Sequence, residues 1–195
     1  MKKFLIIILF FNLSHTHAYS IEPQVFVQST VNKASQVLSQ DISKEEKING
    51  LKIIAKETVD ITGIGFYSLG SARKNLDDTQ KRVYFDLFEK YFLKSFSSRL
   101  AQYSDPKIQV SSEKKLNEKY TIVSSILLAT EKTPQVKLDW RIVTKDIHKP
   151  LIIDVVIEGV SLAKVQKEEF YSIIQSNDGD INALFKNLKE FIEKD

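Results

Sequence analysis

The run from Thr79 to Tyr103, TQKRVYFDLFEKYFLKSFSSRLAQY, sets the terms on which the rest of the chain folds. Its 25 residues contain neither glycine nor proline, so nothing in it breaks a helix. Asp77 or Asp78 is placed to cap its start, because a carboxylate accepts from the free N–H groups of a first turn and favours the positive end of the helix dipole. Phe85, Phe88, Phe92, Phe96 and Leu100 recur at helical spacing and share one face, which Tyr84, Leu87, Tyr91 and Tyr103 flank or widen. At about 1.5 Å per residue this helix is roughly 35–40 Å long, the span of a small domain, so other elements must pack along it. Seven of the chain's twenty aromatic residues lie here. Such a stripe fits an ordinary core, and it also fits the wall of an apolar cavity that holds a ligand. Periodicity does not separate the two, because both need a broad apolar face.

The first eighteen residues stand apart from the fold. Lys2 and Lys3 precede an apolar run, Phe4 to Leu13, interrupted only by Asn12, and Thr16-His17-Ala18 offers small residues at both key positions of a cleavage site. This is the pattern of a cleaved secretory signal peptide, residues 1–18. The apolar run is about half of the roughly 20 residues a membrane span needs. Cleavage after Ala18 leaves residues 19–195, enough for a single domain with a sizeable core. Loss of the two lysines leaves 26 basic against 25 acidic residues, a net charge of +1. With so small a charge and no basic cluster, nucleic acid is not the expected partner.

The chemistry-bearing residues are few. There is no cysteine, so an exported chain of this kind is held by its core alone, and thiol catalysis and cysteine-ligated metals are excluded. His15 and His17 leave with the signal. Only His148 remains, so one mature chain cannot build a multi-histidine zinc site, and no metal or cofactor is expected. His148 falls in a turn between Asp146 and Pro150, the place of a solvated histidine, and no G-x-S-x-G elbow is present. Asp154 and Glu158, four apart in a strand, are roughly 13 Å from each other, too far for the paired carboxylates of a glycosidase. Asp60 reads as a helix-end cap. Asp154 interrupts an apolar strand, which places it either in hydrogen bonds to a loop or on a wet face. The chain is expected to have no catalytic residues.

Along the mature chain, Pro23 to Ser39 reads as a first helix, with proline at its first turn and Phe26, Val27, Val31, Ala34, Val37 and Leu38 as its stripe. Ser43 and Glu46 form a capping-box pattern for a second. Asp60–Gly70, DITGIGFYSLG, is short, apolar and glycine-punctuated, and reads as a helical turn ending at Gly70. After the long helix, Ser104-Asp105-Pro106 is a stop, and the period changes to that of strands. Lys107–Ser112, Tyr120–Ala129, Gln135–Lys145 and Leu151–Glu158 are four expected strands. Val136, Leu138, Trp140 and Ile142 face one way and Lys137, Asp139 and Arg141 the other. In the last strand Leu151, Ile153, Val155 and Ile157 share a face. Short connections make the neighbours antiparallel. One dry sheet face needs a cover, and the long aromatic helix is the natural one. Two helices, from Leu162 to about Ser176 and from about Ile181 to Glu193, complete an α+β domain.

Four segments in this order resemble the MlaC family, also known as the toluene-tolerance auxiliary family. Asp60–Gly70 is similar to the family's aspartate, apolar run and Leu-Gly. Arg82-Val83-Tyr84-Phe85 with Phe88, Phe92, Phe96 and Leu100 is similar to its Arg-x-x-Phe helix. Asp154–Leu162, DVVIEGVSL, is the most specific piece, and Phe170 with Gly179, Leu184 and Leu188 resembles its C-terminal helices. The sequence departs from the family pattern at Ser71-Ala72, Pro150 and Phe96. The resemblance implies a helical layer on a curved four-stranded antiparallel sheet of nuclear-transport-factor-2-like type, with an apolar cavity between the layers. It implies a monomeric periplasmic carrier that holds a diacyl phospholipid by its acyl chains. The carrier would shuttle between an outer-membrane lipoprotein–porin complex and an inner-membrane ABC transporter with an MCE-domain subunit, maintaining outer-membrane lipid asymmetry.

On that picture the candidate lipid-binding residues are Phe66, Leu69, Phe85, Phe88, Phe92 and Phe96 from the helices, and Leu138, Trp140, Ile142, Ile153, Val155 and Val160 from the sheet. Burying an acyl chain gains about 0.8 kcal/mol per CH₂, so no charged pocket is required. The rival reading is a periplasmic adaptor whose apolar face binds another protein and carries no lipid. A hydrolase of lipids or sugars is the third, set back by the missing base chemistry.

Overall fold

The computed structural model describes residues 21–131, 134–146 and 148–194; the expected signal peptide, residues 1–18, lies outside them. Three helices, α1 (Pro23–Ser39), α2 (Lys44–Thr58) and α3 (Ile61–Ser68), and a 3₁₀ turn (Ala72–Lys74) precede the long helix α4 (Asp78–Leu100). Strands β1 (Ile108–Asn117), β2 (Tyr120–Leu127), β3 (Val136–Val143), β4 (Leu151–Ile157) and β5 (Val160–Ser161) follow, and then α5 (Leu162–Gln175) and α6 (Ile181–Glu193).

Local sequence starts most of these helices. Ser43 and Glu46 close the expected box on α2. Asp60 Oδ1 accepts from the Gly63 N–H at 2.8 Å at the start of α3, so the cap reading of Asp60 holds. Asp77 caps α4 and forms a second box with Gln80. Ser161 and Asp180 cap α5 and α6. Two helix ends are completed from elsewhere in the chain. The Gln24 N–H in the first turn of α1 donates to Glu113 Oε2 of β1 at 3.1 Å. Lys94 Nζ of α4 donates to the Ile192 carbonyl at 3.0 Å and to the Lys194 carbonyl at the end of α6, where a cation suits the negative end of the dipole.

The sheet is a meander in the order β1-β2-β3-β4-β5, every pair antiparallel. It has five strands where four are read from the sequence. Val160–Ser161 folds back onto β4 through Glu158-Gly159, whose φ angles of +48 and +84 make a tight hairpin turn that glycine eases at its second position. The Glu158 N–H donates to the Lys137 carbonyl at 3.0 Å, and the Glu158 carboxylate accepts from the Lys137 N–H. Asp154, 6% exposed, lies under the same turn. Its Oδ2 accepts from Ser161 Oγ at 2.6 Å and pairs with Arg141 at 3.2 Å, and its Oδ1 accepts from the Ala163 N–H at 3.0 Å. The DVVIEGVSL segment is thus one hydrogen-bonded corner that turns the sheet into α5.

One strand-face expectation is corrected. Across β3 and β4, Trp140 pairs with Val155 and Arg141 with Asp154, but Ile142 pairs with Ile152. The register slips by one, and Ile153 is the extra residue of a bulge. Ile152, 4% exposed, takes the inner position that strict alternation gives to Ile153.

The cover of the sheet also differs. The helices lying closest on it are α1, against β1 and β2, and α3 and α5, against β4; the nearest backbone neighbours of α4 are α2, α3 and α6. The long helix is therefore the centre of the helical layer. Its side chains meet those of the sheet in a shared core, where Tyr84, Leu87, Phe88 and Leu93 join Val123, Ile142 and Ile152. Among the described residues no buried side-chain polar atom lacks a partner. Thr30, Thr58, Ser68 and Ser97 each donate to the carbonyl four residues back in their own helix.

Candidate ligand site

Helix α4 has two aromatic edges, and their chemistry differs. The first carries tyrosines with anchored tips. Tyr84 Oη, fully buried, donates to the Gly65 carbonyl of α3 at 2.9 Å, and Tyr91 Oη donates to Gln166 Oε1 of α5 at 2.9 Å. Burial pushes both hydroxyls above the ordinary tyrosine range, so each stays a protonated donor at neutral pH. Phe88 is enclosed beside them, edge-on to Phe170 with centroids 6.1 Å apart, while Tyr91 meets Phe191 at 4.8 Å. A methyl group built on Gly65 would meet the Phe88 ring at 2.9 Å, so a residue without a side chain is what lets α3 lie this close on α4. This edge is fixed core. Tyr84→Phe removes this hydrogen bond while the Gly65 carbonyl keeps the Leu69 N–H; the expected loss is about 1 kcal/mol, read from denaturant midpoints at unchanged slope.

The second edge carries only phenylalanines. Phe85, Phe92 and Phe96 are half-buried and pack against the shared core. Phe92 lies 6.1 Å from Phe88, and Phe96 stacks on Phe92 at 5.7 Å with an 8° tilt. Phe85 meets Phe66 of α3 at 4.6 Å. None of these rings has a polar tip to hold it. In the same apolar layer, Trp140 and Val155 are half-buried cross-strand partners. Trp140 donates its Nε1–H to Ser125 Oγ at 2.8 Å within the sheet, which satisfies its one polar atom and leaves the ring for apolar contact.

Of the twelve candidate residues, the structure brings eight into or against one core: Leu69, Phe85, Phe88, Phe92, Phe96, Trp140, Ile142 and Val155. Phe66 sits on the rim, 40% exposed. Leu138 is buried outside that core, Ile153 is displaced by the bulge, and Val160, 54% exposed, lies on the short edge strand β5. Phe26 of α1 and Ile108 and Val110 of β1 join the layer and are absent from the sequence-derived set. Their alternation and helical spacing mark them as apolar-face residues, but spacing within one element does not say which layer that face meets. Among the described residues no group of three or more histidine, cysteine, aspartate or glutamate side chains is arranged to hold a metal, and no helix is long and apolar enough to cross a membrane.

The family model described as MlaC protein matches residues 28–190. The chain belongs to the MlaC family. That match takes in both edges of α4, the whole sheet and the DVVIEGVSL corner. The fold is also that of a solved phospholipid-binding protein from Ralstonia solanacearum, determined in complex with a phospholipid. The TM-score is 0.73, with 88% of this chain and 97% of that one covered at 16% identity. No curated protein matches the chain in sequence.

Proposed function

We propose that this MlaC-family chain is a periplasmic carrier that holds a diacyl phospholipid by its acyl chains, between the phenylalanine edge of α4 and the inner face of the sheet. It shuttles that lipid between an outer-membrane lipoprotein–porin complex and an inner-membrane ABC transporter with an MCE-domain subunit, and so maintains outer-membrane lipid asymmetry. The observation that carries the reading is the division of α4. A helix whose only task is to fill a core has no need to keep its hydroxyl-bearing rings anchored on one edge and leave a half-buried row of untethered rings on the other. Rings that hold no hydrogen bond can be displaced without leaving a polar group unpaired, and an acyl chain that takes their place gains about 0.8 kcal/mol per CH₂. The phospholipid in the Ralstonia solanacearum protein supports the same ligand class.

The test is native mass spectrometry of mature protein from the periplasm, followed by lipid extraction. The expected result is an added mass equal to one diacyl phospholipid on a monomer. A bare protein mass that stays bare after incubation with phospholipid vesicles overturns the carrier reading and leaves the apolar layer as core or as a protein-docking face.

A further inference from the structure

Two open concavities differ in what lines them. The larger, about 670 Å³, runs along the outer face of α1 and is walled by Gln24, Gln28, Asn32 and Gln36 with Glu22, Lys33 and Glu113 around them. The exposed Val25 and the side-chain stems give it apolar surface too, but no aromatic ring lines it and none of its lining residues belongs to the phenylalanine row. The smaller, about 290 Å³, lies where the first turn of α3 meets the middle of α4, lined by Ile61, Thr62, Phe85, Asp86, Phe88 and Glu89. That is just below the roughly 300–1,000 Å³ of whole ligand pockets, a size that suits an opening better than a chamber.

We propose that this smaller concavity is the mouth through which phospholipid acyl chains pass to the phenylalanine edge of α4. The proposal rests on the carrier reading and adds the portal to it. Three observations bear on it. Its two lining rings, Phe85 and the buried Phe88, lie beside the charged Asp86 and Glu89 and lead into the row behind them: Phe88 is 6.1 Å from Phe92, which is 5.7 Å from Phe96. From Phe85 to Phe96 that row runs about 16 Å along the helix. The ring at the threshold, Phe85, is half-buried and held by apolar contacts alone, tilted on the exposed Phe66 at 4.6 Å and edge-on to Tyr84 at 5.4 Å, so its displacement breaks no hydrogen bond. The rim is charged and adaptable. Glu89 pairs with Lys56 of α2 at 2.9 Å and Asp86 with Lys90 at 2.7 Å, all four side chains about half-exposed. Exposed pairs of this kind contribute little to stability. Their lysines are free to exchange a carboxylate for the phosphodiester of a headgroup that stays at the surface while its chains go in.

The absence of cysteine from the sequence makes a direct test available. Thr62 and Ser29 are both exposed; Thr62 lies at the proposed mouth and Ser29 lines the polar concavity on α1. Delipidated T62C and S29C proteins are compared before and after coupling to a polyethylene-glycol maleimide, with uptake from phosphatidylethanolamine/phosphatidylglycerol vesicles followed by native mass spectrometry. Comparing each protein with itself before and after coupling takes folding out of the comparison. Labelled T62C is expected to load about tenfold more slowly than unlabelled T62C, as for any step gated by access, and labelled S29C to load at its unlabelled rate. Equal rates for labelled and unlabelled T62C, or equal slowing at both positions, overturn the mouth. Wild-type uptake is read first. If wild type takes up no lipid, the carrier reading has failed; if it does and label at Thr62 is without effect, only the portal has failed.

Discussion

On the proposed carrier reading, protein carrying Phe92→Asp is expected to be purified folded and without the phospholipid expected on wild type. The side chain sits in the middle of the untethered row, between Phe88 and Phe96. A carboxylate there must stay in water, and a chain lying over it would bury it at a cost of several kcal/mol. Each loss of about 1.4 kcal/mol is a factor of ten in affinity, so occupancy falls below what native mass spectrometry detects. The fold survives because Phe92 is half-buried and at the margin of the layer, from which an aspartate can turn outward when no lipid is present. Phe92→Leu keeps the surface apolar and is expected to retain lipid. An unchanged far-UV spectrum with an unchanged lipid load in Phe92→Asp would mean that the chains lie elsewhere.

The second large effect is on stability and leaves the ligand layer alone. Asp154 is buried at the corner between β4 and α5, and it accepts from a hydroxyl, a backbone N–H and a guanidinium. Asp154→Ala takes the acceptor from the Ser161 hydroxyl and the Ala163 N–H together. Arg141 is half-exposed and falls back on water, so its share is discounted. The Ala163 N–H is buried and loses its acceptor, while the half-buried Ser161 hydroxyl loses its acceptor but still accepts from the Lys164 N–H; together these cost about 2–3 kcal/mol, which for a domain of this size lowers the melting temperature by about 8 °C. Asp154→Asn keeps the shape and an acceptor, and is expected to lose less than half as much. Lipid occupancy per folded molecule is expected to match wild type for both. A melting temperature for Asp154→Ala within the error of wild type would show that the corner holds without its carboxylate.

Much of the architecture is legible in the sequence because its signals are local. Helix starts at Pro23, Ser43 and Asp60, the stop at Asp105-Pro106 and the change of period at the strands each depend on a few neighbouring residues. What was not legible depends on partners distant in the chain. A bulge at Ile153 leaves no trace in an alternating apolar run, since isoleucine follows isoleucine and either can face inward. The cap that α1 lacks locally comes from Glu113, about ninety positions away. Phe85, Phe88, Phe92 and Phe96 look alike in the sequence, yet Phe88 is enclosed and the other three are half-buried. That difference is set by where α3 and α5 take hold of Tyr84 and Tyr91. The aromatic stripe could therefore be seen, but not its division into a fixed edge and a free one.

The order of the strands bears on how the molecule comes apart. Every strand pairs with its sequence neighbour, so the sheet is built from short-range contacts and can assemble as a unit. The first four helices form a second unit, on which α6 packs through α4, while α5 packs on both α3 and β4. Between these units runs a seam closed by long-range contacts, such as the Asp60 N–H to the Ile152 carbonyl, Ser35 to the Pro106 carbonyl and Gln24 to Glu113. Loop-closure entropy is spent on contacts of this kind, and units that hold their own internal contacts separate along such a line at less than the global unfolding free energy. The seam is the plane in which the acyl chains are proposed to lie. On the proposed carrier reading, opening along that seam lets a long apolar cargo enter and leave while each half keeps its own contacts.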